Sequence, residues 1–97
     1  MAYTKQTIFT LPLATAHQIR DDAALTAIMQ AKEDDLATSG YDKNVAWQIT
    51  TDQNGAQICT TIRKWPDAAT AQEWVTYGSA QTAAKGYSWT LFEVQDI

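Results

Sequence analysis

Few residues in this 97-residue chain are equipped for chemistry: one histidine (His17), one cysteine (Cys59), seven Lys and Arg, and four Trp. His17 is suited to act as a base or metal ligand, yet a lone histidine with no second ligand nearby is ordinarily solvated. Cys59 has no second cysteine to pair with and no motif around it, which leaves it the role of a small packed residue. One His and one Cys make no metal-ligand spacing, and four isolated glycines make no phosphate-cradling loop. No catalytic residue, metal or cofactor is expected. Two clusters remain. Trp47, Trp65 and Trp74 could wall a pocket for an apolar aromatic molecule, although Trp65 and Trp74 are equally suited to pack a corner of the core. Lys5, Lys43, Arg63 and Lys64 fall at one end of the expected fold, beside the N-terminus of the second helix, where a phosphate or carboxylate could bind. The plainer reading is that these cations sit near the C-terminus of the first helix, opposed by Glu93 and Asp96.

The elements that must position these groups can be read in order. Residues 3–12, YTKQTIFTLP, read as a strand with Phe9 and Leu11 on one face and Ile8 on the other. A helix is expected over about 21–38, with Leu25, Ile28, Met29 and Leu36 in its stripe. Its start is open between a Thr15–Gln18 capping box and an Asp21 or Asp22 cap. Ser39-Gly40-Tyr41 supplies its stop. NVAWQITTDQ and AQICTTIRKW flank Asn54-Gly55, the preferred dipeptide of a two-residue hairpin turn. That turn predicts Trp47 opposite Ile62 and Ile49 opposite Thr60. Val45, Trp47, Ile49, Ile58 and Ile62 then share one face, and Cys59, Thr61 and Arg63 the other. After Trp65-Pro66, Asp67 caps a helix carrying Ala71, Trp74 and Val75; Gly78 either ends it early or allows close packing, helical composition continues to Lys85 where Gly86 stops it, and YSWTLFEVQDI forms the last strand.

This order, β-α-β-β-α-β, predicts a single α+β domain over 1–97 of ferredoxin-like type. Its four-stranded antiparallel sheet would have strand order 4-1-3-2, with two helices on one face. The open face would carry Ile8, Trp89 and Leu91 on one half, an exposed apolar group suited to a homodimer packed sheet to sheet.

Composition narrows the partners. A net charge of −4 and a pI near 4.6 argue against a nucleic-acid binder. The N-terminus, MAYTKQTIFTLPLA, lacks the charged-then-apolar pattern of a secretory signal. No apolar run approaches the roughly 20 residues of a membrane span, so a cytoplasmic setting without membrane contact is expected.

The junction TIRKWPDAATAQEWV resembles the strand-to-helix junction of the dimeric α+β barrel superfamily, which includes antibiotic-biosynthesis-monooxygenase-like proteins. The resemblance spans about 15 residues and the element order. It implies a homodimer and a cleft between sheet and helices for an apolar or aromatic small molecule. Several members are cofactor-free oxygenases, and some degrade haem with an Asn, Trp and His set. Where many members carry a histidine on the second helix, this chain has Trp74. Two functions are therefore expected in order. The first is a small non-enzymatic protein acting through homo-oligomerisation and protein contacts; its Thr-, Gln- and Ala-rich composition also resembles phage accessory or structural proteins. The second is a cofactor-free monooxygenase-like enzyme, or a binder of an apolar aromatic molecule in the cleft.

Overall fold

Four segments of alternating or β-branched residues form one antiparallel sheet: β1 (Lys5–Pro12), β2 (Val45–Thr51), β3 (Gln57–Trp65) and β4 (Leu91–Asp96). Three helices complete an α+β fold: α1 (Leu13–Asp21), α2 (Ala23–Ala37) and α3 (Ala68–Ala84). These elements come from a computed structural model that describes residues 3–38 and 45–97. The strand order is β2-β3-β1-β4. This is the expected 4-1-3-2 order read from the other edge. The expected helix stop at Gly40-Tyr41 lies outside the described residues.

The helices differ from expectation in number. A helix starts directly after Pro12, and the chain breaks at Asp22, whose extended backbone makes it both the end of α1 and the N-cap of α2. The Asp22 carboxylate accepts from Leu25 N–H at 3.0 Å, so the second of the two proposed acidic caps is used. The Thr15–Gln18 box is not: α1 has Pro12 at its N-cap and no side-chain cap. Helix α3 runs past Gly78 to the predicted stop. There Gly86 takes φ +80°, with Gly86 N–H bonded to Ala83 O at 2.9 Å and Tyr87 N–H to Thr82 O at 3.1 Å. These two bonds satisfy carbonyls that the helix end would otherwise leave open.

The hairpin register is the main correction. The β2–β3 loop has three residues rather than two: Asp52 N–H bonds to Ala56 O, Gly55 N–H bonds to Asp52 O, and Gly55 takes φ +81°. The Asp52 carboxylate also accepts from the N–H groups of Asn54 and Ala56, at 2.8 and 2.9 Å. This is a tight turn followed by a glycine bulge. Trp47 therefore pairs with Thr61 and Ile49 with Cys59. A one-residue slip exchanges the faces of the partner strand. Cys59, Thr61, Arg63 and Trp65 join Thr7, Phe9 and Leu11 on the helix side, while Ile58 and Ile62 move to the open face. Trp89 is corrected as well. Because β4 begins only at Leu91, Trp89 does not share the strand's alternation, and its ring packs edge-on against Phe9 and Phe92.

The core sits between the helix-side face and α2 and α3. Leu36, Trp65, Ala71 and Trp74 form its buried cluster, with Met29, Phe92 and Val94 packed against it. Trp65 is completely buried, and its indole N–H donates to the buried Thr7 Oγ1 at 2.9 Å. The turn after it is held by Asp67, whose carboxylate accepts from Thr70 N–H at 2.7 Å. In contrast, β2 is exposed along its whole length, and Val45, Trp47 and Ile49 keep open apolar surface.

Candidate functional site

A cavity of about 490 Å³ opens between the helix-side face of the sheet and the helices. Its apolar wall is built from three sources. Phe9 and Leu11 come from β1 and Phe92 from β4, all placed on one face by the strand period of two. Leu25 and Met29, one helical turn apart on α2, form the second part. Trp74 and Gly78, again one turn apart on α3, form the third. Gly78 has a close-packing role, since a Cβ built there would stand 2.9 Å from the Phe92 ring and 3.3 Å from Met29 Cε. Its missing side chain lets α3 lie close over β4. Helix α1, which buries no residue of its own, adds Ala16, Ile19 and Arg20 at the opening.

The polar part of the wall centres on Arg63, which the three-residue loop delivered to this face. Its Nη2 donates to Glu33 Oε1 on α2 at 2.8 Å, and both side chains are less than one-fifth exposed. The guanidinium carbon lies 4.6 Å from the centroid of the Trp74 ring, a cation–π arrangement. Arg63 Nε is buried and has no hydrogen-bond partner; it is the one such side-chain atom among the described residues. Thr61 and Thr26 add hydroxyls to the lining. Arg20 also lines the opening but is exposed and held by Asp21, with Nε 3.0 Å from Oδ1.

The expected trio of tryptophans is split by this geometry. Trp65 and Trp74 do meet, with ring centroids 5.7 Å apart. Trp65 is sealed in the core, however, and Trp47 is 68 % exposed on the edge strand, so Trp74 alone of the three lines the cavity. Among the described residues, the members of the expected anion cluster do not come together. Lys5 is paired with Asp96, and Arg63 with Glu33. Arg63 and Lys64 are consecutive strand residues and so point to opposite faces. Lys43 lies outside the described residues. His17 is exposed on α1 and does not line the cavity. Cys59 is buried, as expected for a packing residue.

Glu33, Met29, Phe9 and Phe92 were not singled out from sequence as site residues. The signal that could have found the Arg63–Glu33 pair was Asp52, placed two residues before Asn54-Gly55. An Asp there favours a side-chain-capped turn. A three-residue loop then follows, with Arg63 on the helix side.

A second polar hub ties the far ends of the helices together. The Asp22 carboxylate accepts from Tyr87 Oη–H at 3.0 Å and faces Lys85 Nζ at 3.5 Å. Asp22 is held below the usual carboxylate range, first by the Leu25 N–H bond and then by Tyr87 and Lys85. The same bond raises Tyr87 above an ordinary phenol, because ionising it would place two negative charges together.

Among the described residues, no group of three or more His, Cys, Asp or Glu could hold a metal ion, and no helix is long and apolar enough to cross a membrane. In comparison with known proteins, the chain matches no protein-family model and no curated protein.

Proposed function

We propose that this protein is a ferredoxin-like domain that binds a small, largely apolar molecule in the cavity between its sheet and helices. The carrying observation is the cavity itself. Its volume of about 490 Å³ falls in the range of small-molecule sites, and its wall is mostly apolar with a few convergent polar groups. Binding is favoured over catalysis because the one carboxylate in the wall, Glu33, is engaged by Arg63. His17, the one imidazole, stands on the exposed side of α1. The test is titration with acetylnaphthalene, followed by amide and indole NMR shifts. Binding in the cavity should move signals of Phe9, Met29, Trp74 and Phe92, and leave Trp47 unchanged. Shifts confined to β2, or none at millimolar probe, would overturn the reading.

A second reading, compatible with the first, is homodimerisation through the open sheet face. The observation favouring it is the observed register, which places Ile58 and Ile62 there beside Ile8 and Leu91. Four aliphatic side chains on three neighbouring strands make a larger apolar group than alternation alone predicted.

A further inference from the structure

We infer that α1 is a lid over this cavity, which packs onto a bound molecule and loosens to admit or release it. This rests on the cavity being a binding site.

Three observations carry it. First, α1 lacks what holds a helix of its length. Its nine residues fall short of the roughly 12–15 that make an isolated helix even marginal in water, so its order has to come from packing one face. Yet none of its residues is buried, whereas α2 buries Leu25 and Leu36, and α3 buries Trp74 and Val75. It also has no side-chain cap and no acidic residue in its first turn. Second, the face that α1 turns inward belongs to the cavity. Ala16, Ile19 and Arg20, at i, i+3 and i+4, line the opening, and Ala16 and Ile19 are only half-buried. An apolar molecule in the cavity gives Ile19 the apolar cover that the chain itself leaves incomplete. Third, α1 is tied at its ends and weakly along its body. Pro12, just before its first residue, pairs with Ile58 on β3. Asp22, just after its last, is held by Leu25 N–H and Tyr87 Oη, each at 3.0 Å, and by Lys85 Nζ at 3.5 Å. Nearer the body, the Thr26 hydroxyl stands 3.5 Å from Ile19 O and 3.4 Å from Arg20 O, longer than an ordinary O–H···O bond. Two fixed ends let this short helix loosen and re-form at the opening while the sheet, α2 and α3 stay in place.

Amide hydrogen exchange over residues 13–21 tests the lid, with acetylnaphthalene as the probe. In the free protein these amides should exchange much faster than those of α3. At a probe concentration about 100 times its Kd they should slow roughly 100-fold, because the helix then opens only when the probe leaves. A pair of variants separates a lid from a fixed wall. Gln18 is exposed inside α1 and does not line the cavity. Gln18→Ala should bind the probe roughly fivefold more tightly than Gln18→Gly, the helix-propensity gap between the two residues, with equal urea midpoints in the free protein. A fixed wall would give both variants one affinity. Equal affinities, α1 amides as slow as those of α3 in the free protein, or α1 exchange unchanged by bound probe each overturn the lid while leaving the cavity as a site. No binding of the probe overturns both.

Discussion

Two buried or half-buried hydrogen bonds at single residues have measurable consequences. Thr7 Oγ1 accepts the Trp65 indole N–H inside the core, where both groups are shielded from water. Thr7→Val keeps the shape and removes this acceptor, and should cost about 1–3 kcal/mol in urea unfolding. Thr7→Ser keeps the hydroxyl and loses only a methyl, about 1 kcal/mol. A Thr7→Val variant as stable as the wild type would show that the bond contributes nothing. The Asp22 hub predicts a pH dependence. Asp22 has a lowered folded-state pKa, so its contribution is fully present above its unfolded value of about 3.9 and is lost as pH falls through the lower folded value. Tyr87 is raised, so its contribution is present below about 10 and is lost as pH climbs through the higher folded value. Asp22→Asn removes the acidic titration while keeping a capping oxygen. The difference in unfolding midpoint between wild type and Asp22→Asn should hold steady near neutrality and shrink below about pH 4. A difference unchanged down to pH 2 would remove Asp22 as its source.

At the scale of elements, the β2–β3 hairpin decides which residues meet. Gly55 at φ +81° has open space around a Cβ, so Gly55→Ala pays no steric penalty from neighbours and isolates the backbone cost. That cost should be roughly 1–2 kcal/mol, read from thermal or urea unfolding. A two-residue loop would place other residues at the bend, and nuclear Overhauser contacts between the Trp47 and Thr61 backbones distinguish the registers directly. The same element shows what was legible beforehand. Strand alternation, the Asp67 cap and the Gly86 stop follow from local chemistry, so the α+β class and strand order could be read from the chain. The register could not be read from Asn54-Gly55 alone, because that dipeptide serves both a two-residue turn and the end of a three-residue loop. The Asp52 carboxylate tips the choice through bonds to Asn54 and Ala56. Trp89 departs from expectation for a related reason: strand alternation holds only from Leu91, where pairing begins. With Arg63 assigned to the wrong face, its meeting with Glu33 and Trp74 was out of reach, and so was the polar part of the cavity.

For the whole molecule, the two sheet faces have unequal cover, and the proposed dimer would form through the less covered one. Helices occupy one face over β1, β3 and β4, where Arg63 meets Glu33 and Gly78 approaches Phe92. The opposite face keeps Ile8, Ile58, Ile62 and Leu91 half-buried, with Thr10 and Thr60 hydroxyls 3.3 Å apart between them. Lys64 on β3 and Glu93 on β4 flank this apolar group with opposite charges. A second copy presenting the same face meets apolar surface with apolar surface, and a two-fold arrangement offers each charge an opposite one. The rival surface is β2, where Trp47 and its neighbours on the helix side are exposed at the sheet edge. Light scattering coupled to size exclusion should give twice the 10.7 kDa chain mass for the wild type. Ile62→Asp and Leu91→Asp should each reduce it to a single chain with near-native circular dichroism, because both side chains leave the core cluster untouched. Trp47→Ser should remain dimeric. If Trp47→Ser alone dissociates the particle, the edge strand is the interface, and a wild-type mass of one chain would remove the dimer altogether.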